Sequence, residues 1–282
     1  MLRVAGAGAI ICCLMTQVMV AQSVRPRSGD YEFASTVHDI RSLWVNPAGL
    51  GVVTDASIMA EFTLERPQDG DLRLAQWTAG FNRWGLAIGY QRDRFIEDPN
   101  TGALRFGLAL PFRRGAAGAA FSIYSGNALD SADARDMGLD LGFQYRLLAP
   151  VNLGVVIRNI GRPDLRDSPA PLTGAVSVAL RAGPRHVLLA VEAQAAERFS
   201  ASGYDVSYRG GIQLSTGGRL PVTLITAVDL GARLAVDRWL IGVAVGGPYC
   251  ATALGSGGLR APNDRLDRVS LGGVASRALS AR

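Results

Sequence analysis

The stretch "DMGLDLGFQYRLLAPVNLGVVIRNIG", Asp136 to Gly161, alternates residue by residue. Met137, Leu139, Leu141, Phe143 and Tyr145 fall on one side; Asp136, Gly138, Asp140, Gly142, Gln144 and Arg146 fall on the other. After a break, "LLAP", the alternation resumes. A period of two marks extended strand, with successive side chains on opposite faces. The stretch therefore reads as two strands and a tight turn. What lies against the apolar face, a folded core or lipid, decides the fold.

Outward from this hairpin, similar segments recur to the C-terminus. The pattern predicts strands over 52–64, 72–81, 84–94, 101–112, 115–125, 134–147, 151–160, 171–181, 184–195, 204–214, 219–230, 237–247, 249–254 and 266–277. The thirteenth is the weakest, so about fourteen strands are expected, with twelve the alternative. Some faces are clean: Leu104, Phe106, Leu108, Leu110 and Phe112 stand against Arg105, Gly107, Ala109 and Pro111. The second segment changes parity between Leu74 and Trp77, which predicts a bulge. Trp239 to Leu259 carries no charge, but Gly246-Gly247-Pro248 at its centre rules against a spanning helix.

The connections carry a second signal. After even-numbered segments they are tight: Asn82-Arg83, Arg113-Arg114, Leu148 to Pro150, Ala182-Gly183, Ser215 to Gly218, and Pro248. After odd-numbered segments most are longer and polar, as in "ERPQDGD" (65–71), "GRPDLRDSPA" (161–170) and "GSGGLRAPN" (255–263). All short loops then lie at one end of the sheet, as in a transmembrane barrel.

Composition agrees. The 282 residues are 48% hydrophobic and 7% aromatic, with 34 Gly and 2 His. The net charge is +5, yet basic residues stand singly or in pairs without interleaved aromatics, so nucleic-acid binding is not expected. The start, "MLRVAGAGAIICCLMTQVMVAQ", has a basic residue, an apolar run and Ala21 at a cleavage-like position. Residues 1–21 are read as a signal peptide. Cys12 and Cys13 fall inside it, leaving Cys250 and no disulfide framework.

These features choose between two architectures. A soluble sandwich would press its apolar faces together, whereas a membrane barrel turns them to lipid and lines its lumen with the polar ones. The export signal, the loop asymmetry and the absence of a helix to cover a sheet edge favour the barrel. The expected fold is all-β: a single closed antiparallel transmembrane barrel over 52–282, preceded by a short plug or helix over 22–51. Candidates for the lumen lining are Arg105, Asp136, Asp140, Gln144, Arg146, Arg158, Arg181, His186, Glu192 and Arg209. Aromatic residues such as Trp77, Trp84, Phe112, Tyr145 and Trp239 lie near strand ends, as interfacial girdles require.

The segment before the first strand reads differently. In "STVHDIRSLWVNPAGLG", Thr36 to Asp39 resembles a capping box, and Val37, Ile40 and Trp44 fall on one helical stripe. Pro47 disfavours helix at Asn46. A short amphipathic helix that plugs the barrel mouth is expected.

Asn46-Pro47-Ala48-Gly49-Leu50-Gly51 resembles the N-terminal motif of the FadL-like outer-membrane barrels, and more narrowly their PorV/PorQ-type branch. The run "GLDLGFQYRLLAPVNLGVVIRNIGRP" is similar to that branch's middle hairpin. The likeness covers Asp39 to about Asp229. It implies a fourteen-stranded barrel with its N-terminal segment tucked into the lumen, where Asn46, Pro47 and Gly49 pack the plug. It also implies passage of hydrophobic molecules or, for PorV-type members, assistance to protein secretion or surface attachment. Such barrels often end in an aromatic residue, whereas this chain ends "SRALSAR".

Catalytic motifs are absent: there is no phosphate-cradling Gly-Lys-Ser/Thr loop and no G-x-S-x-G elbow. Asp136 and Asp140, about 13 Å apart along one strand, are too far apart for paired acid/base work, and Arg146 or Arg158 is expected to neutralise them. No enzyme activity, metal or cofactor is expected. The leading functional expectation is a conduit for small, apolar solutes across a bacterial outer membrane. A barrel that docks a secreted or surface protein through the 161–170 loop is the alternative, and a soluble periplasmic β-protein a second. Outer-membrane lipid is the expected surrounding.

Overall fold

The computed structural model describes residues 29, 31–52, 54–66, 71–94, 101–127, 133–163, 170–183, 187–198, 203–217, 220–246, 251–260 and 265–278. The expected signal peptide, most of the 161–170 loop, His186 and Cys250 lie outside them.

Fourteen strands follow one another in the chain: β1 (Thr54–Glu65), β2 (Arg73–Arg83), β3 (Leu86–Asp93), β4 (Thr101–Phe112), β5 (Gly115–Asn127), β6 (Asp133–Leu148), β7 (Val151–Ile160), β8 (Thr173–Ala182), β9 (Val187–Glu197), β10 (Tyr204–Ser215), β11 (Val222–Leu230), β12 (Val236–Val245), β13 (Ala251–Arg260) and β14 (Arg265–Ala278). Each pairs antiparallel with its chain neighbours, and β1 pairs with β14 from Thr54↔Ala278 to Glu65↔Arg268. The sheet closes into a barrel. Closure removes the open edge that an all-β chain without covering helices must otherwise protect.

The side-chain rows sort as a lipid-embedded barrel requires. Met137 is 59% exposed, Val191 61% and Leu86 59%, and Phe106, Leu141, Ile157 and Val176 also face outward. Their strand neighbours Gly138, Asp140, Arg105, Val156 and Glu192 are buried inside. An apolar exterior of this extent has no stable place in water. Phe112, Phe143 and Tyr145 stack on one another near the short-turn end, at 5.6–6.4 Å between ring centroids. An arginine in place of outward Phe106, midway along β4, is expected to cost roughly 2–4 kcal/mol if the row meets acyl chains. Urea unfolding of the barrel refolded in vesicles measures this, and an unchanged midpoint would place the row in water.

Most strand limits match the alternation, and three details differ from it. The third strand begins at Leu86, because Trp84 and Gly85 both take positive φ, 52° and 80°, and make the turn themselves. The thirteenth strand, expected to be weak and to stop at Leu254, runs to Arg260. Its Gly255, Gly257 and Gly258 pair with β12 and β14 instead of forming a loop, so the connection there shrinks to residues 261–264. The helix expected from Val37 to Trp44 is only one turn, α1 (Ser42–Val45), followed by a 3-10 turn over Pro47–Gly51. The capping pattern is not used: the residue before α1 is Arg41, without a side-chain cap, and Thr36 Oγ1 bonds Glu32 and the Phe33 carbonyl. The parity change in the second segment is a bulge. Thr63 pairs Gln76 and Leu64 pairs Leu74, leaving Ala75 over.

Candidate functional site

The N-terminal segment from Tyr31 to Gly51 lies inside the barrel, against inner-row side chains. Two apolar flanks hold it. Ile40, Leu43, Trp44 and Leu50 cluster with Met59, Ala87, Ala109, Ala120 and Val274. On the other side Tyr31 and Phe33 pack on Ala179, Ala190, Ile225, Ala227, Leu240 and Leu254. The inner wall is thus apolar at these heights, where polar inner rows were expected. Small residues there make room for the inserted chain.

Between the flanks the contacts are polar, and the barrel grips the segment largely by its backbone. Asn46 Nδ2 donates to the Ala34 carbonyl at 2.8 Å and to the Phe143 carbonyl at 3.2 Å, while its Oδ1 accepts from Ala48 N at 3.2 Å. Gln144 Nε2 donates to the carbonyls of Ala34 and Val37 at 2.8 and 2.9 Å. Glu192 accepts from Ala34 N at 2.9 Å, and Ser57 Oγ from Ile40 N at 2.7 Å. Ser35 and Ser177 hydroxyls lie 2.7 Å apart. Without these partners the irregular backbone would carry unmatched polar groups away from water. Close approach needs glycine beneath it. A Cβ at Gly118 would sit 2.5 Å from the Pro47 carbonyl, and one at Gly142 or Gly154 would overlap Asn46 Oδ1 or the Ala34 carbonyl.

Above the segment, toward the long loops, lies a charged layer. Arg105 Nη2 meets Asp140 Oδ2 at 2.5 Å, its Nε donates to Ser122 Oγ at 2.7 Å, and its Nη1 to the Leu43 carbonyl at 3.2 Å. The neutralising partner of Asp140 is therefore Arg105, not Arg146 or Arg158. Strand register explains it, since β5 between them sets Ser122 opposite Arg105 and small Ala120 opposite Asp140. Arg158 Nη2 instead donates to the Val45 carbonyl at 2.7 Å.

The other lumen candidates are dispersed. Asp136 is half-buried near the long-loop end and accepts from Met137 N. Arg209 pairs with Asp229 at 2.5 Å. Arg146 and Arg181 stay on the inner rows but are exposed at the short-turn mouth. Asn46 is the residue before the 3-10 turn, Pro47 is its first residue, and a Cβ at Gly49 would collide with the Val37 carbonyl and Ser42 Oγ. Sequence reasoning missed Tyr31, Phe33 and Ser57. Nothing in their local pattern marks them, because their partners lie on remote strands.

Inside the segment, Arg41 joins Glu32 at 2.7 Å and Asp39 at 2.5 Å, and donates to Tyr31 Oη at 3.1 Å. Burial would raise the Asp39 pKa, but the charge and hydrogen bonds of Arg41 outweigh it and hold the carboxyl below its ordinary range. Burial lifts the Tyr31 phenol well above its own. One guanidinium thus serves two carboxylates within the segment. Among the described residues no group of His, Cys, Asp and Glu could hold a metal ion.

No family model and no curated protein matches the chain. Among solved structures it is similar to the CymD monoaromatic hydrocarbon channel, at 9% identity and TM-score 0.57, over 89% of this chain and 95% of that one. It is similar also to the Ralstonia pickettii toluene transporter TbuX, at 8% identity and TM-score 0.57, over 85% and 93%. At these identities the likeness is one of fold.

Proposed function

We propose that this chain is a FadL-like outer-membrane barrel that passes small apolar solutes, with its N-terminal segment as a gating plug. The observation that carries the reading is the pair of apolar inner patches, Trp44 with Met59 and Ala109 on one side and Phe33 with Ile225 and Leu240 on the other. A water-filled channel for polar solutes has no use for such walls, whereas an apolar solute can replace plug contacts with similar ones. The outward apolar row and the short-turn, long-loop asymmetry support an outer-membrane location. The hydrocarbon channels of like fold support the solute class.

The covered wall suggests where passage runs. The inner row of β4 is buried from Thr101 to Ala109, but Ser207, Arg209 and Gln213 on β10 keep partial exposure. Conductance and toluene uptake, compared before and after deletion of residues 22–50, test the reading. Deletion is expected to raise both; no change in either would remove the gating role. Uptake by the intact protein no faster than by empty vesicles would remove the conduit.

A further inference from the structure

The two ends of the barrel differ in how their arginines are used. At the long-loop end acidic partners are at hand for several of them, Arg162 with Glu197, Arg198 with Asp205, Arg209 with Asp229, and Arg268 with Glu65, while Arg73, Arg94 and Arg233 are exposed there without an ion pair among the described residues. At the short-turn end Arg83, Arg113, Arg114, Arg146 and Arg181 are all exposed, and none forms an ion pair among the described residues. The turn sequences explain this. Residues 82–85, 112–115, 146–151, 181–187, 215–222 and 245–251 contain no Asp or Glu, and two of them add Arg185 and Arg219.

Part of this basic rim borders the lipid-facing belt, while Arg146 and Arg181 stand at the lumen mouth on the inner rows. Arg83 continues the outward row of Phe81, and its guanidinium lies 3.9 Å over the exposed Trp84 ring. Arg113 and Arg114 follow outward Phe112. Arginine side chains at the end of an apolar belt reach to the interface while their stems stay in the acyl region. A guanidinium there meets phosphate oxygens with a two-pronged fit.

We propose that the short-turn rim docks anionic phospholipid headgroups of the adjoining leaflet. Arg83, Arg113 and Arg114 form an arc of uncompensated guanidinium groups at the end of the apolar belt, and diester phosphates without a balancing cation are its complement. The inference needs only the outward belt and does not depend on what the lumen carries.

The test is lipid retention. The full-length barrel is reconstituted in nanodiscs of phosphatidylcholine with a minority of phosphatidylglycerol, and the lipids kept on release are counted by native mass spectrometry. The wild type is expected to retain phosphatidylglycerol over phosphatidylcholine by about fivefold per occupied contact, the size of one arginine's attraction to an anionic surface. Arg83→Gln, Arg113→Gln, Arg114→Gln, Arg146→Gln and Arg181→Gln combined should retain the two lipids in the nanodisc ratio. Arg113→Gln with Arg114→Gln, confined to one exposed turn, should lose part of the preference even if the fivefold variant fails to fold. Arg162→Gln with Arg198→Gln at the other end should keep all of it. Equal retention by the wild type, or an unchanged preference in the rim variants, overturns the proposal. So does loss of the preference in inorganic phosphate but not in chloride of equal ionic strength, since the rim would then be a site for the free ion.

Discussion

Leucine at Gly142 and Gly154 together will release the N-terminal segment while leaving the barrel folded. Both glycines face the lumen, and a Cβ at either would overlap atoms of the segment: Asn46 Oδ1 at one, the Ala34 carbonyl and its carbon at the other. What stands in the way is backbone and a fully engaged amide, neither of which can swing aside. Overpacking of this kind costs typically about 1–3 kcal/mol per site. Here the strain is relieved by undocking, which also forfeits the bonds of Gln144 to Ala34 and Val37. The strand pairing of the barrel itself is untouched. Glycine is a weak strand residue, so leucine should hold or raise the unfolding midpoint. The expected outcome is opposite in sign for the two parts: residues 31–50 become open to protease and conductance rises, while heat-modifiable gel migration persists. Gly174→Ala, where a Cβ meets nothing within 4 Å, is the control and should change none of these. A leucine variant whose N-terminal segment stays protected would show that the glycine bed does not seat it.

The alternation of Asp136 to Gly161 was enough to place strands and to tell outside from inside, because the outward row is almost free of charge and spans the whole circumference. It could not assign partners within the lumen. Arg105, Ser122 and Asp140 belong to three successive strands, and their meeting depends on register, which loops of unstated geometry set. The N-terminal segment misled for a related reason. Val37, Ile40 and Trp44 do recur with helical spacing, but Gln144 takes the Val37 carbonyl and Ser57 the Ile40 amide, so side chains of the barrel replace helical hydrogen bonds. Gly255, Gly257 and Gly258 carry a loop signal that pairing on both sides overrides. Alanines such as Ala179 and Ala227 carry no mark of contact in the sequence. Their smallness is what admits Tyr31 and Phe33.

Asp140→Leu should be the most damaging single change in the lumen. Arg105 is 4% exposed and Asp140 3%, and the pair is built into the fold at two further points. Asp140 sits opposite a bulge in β7: Leu139 pairs Ile160 and Leu141 pairs Ile157, so Arg158 and Asn159 together oppose it. Asn159 is left-handed there, at φ 60°, and its N–H, released from the ladder, donates to Asp140 Oδ1 at 2.9 Å. The other oxygen neutralises Arg105, whose Nη1 holds the Leu43 carbonyl of the N-terminal segment. Removing the carboxylate strands a guanidinium and an amide away from water, at roughly 3–5 kcal/mol for the unpaired charge and about 1–3 kcal/mol for the amide. Arg105→Met alone should cost a comparable amount by stranding the carboxylate. The double variant Arg105→Met with Asp140→Leu strands no charge, and its loss should fall well below the sum of the singles. A double-mutant cycle on urea unfolding in vesicles reads the difference. Coupling of several kcal/mol means that the pair is shielded from lumen water by the N-terminal segment beneath it, and the coupling should shrink when residues 22–50 are deleted. Additive single effects would mean that water already reaches the charged layer, and that the plug does not seal the lumen.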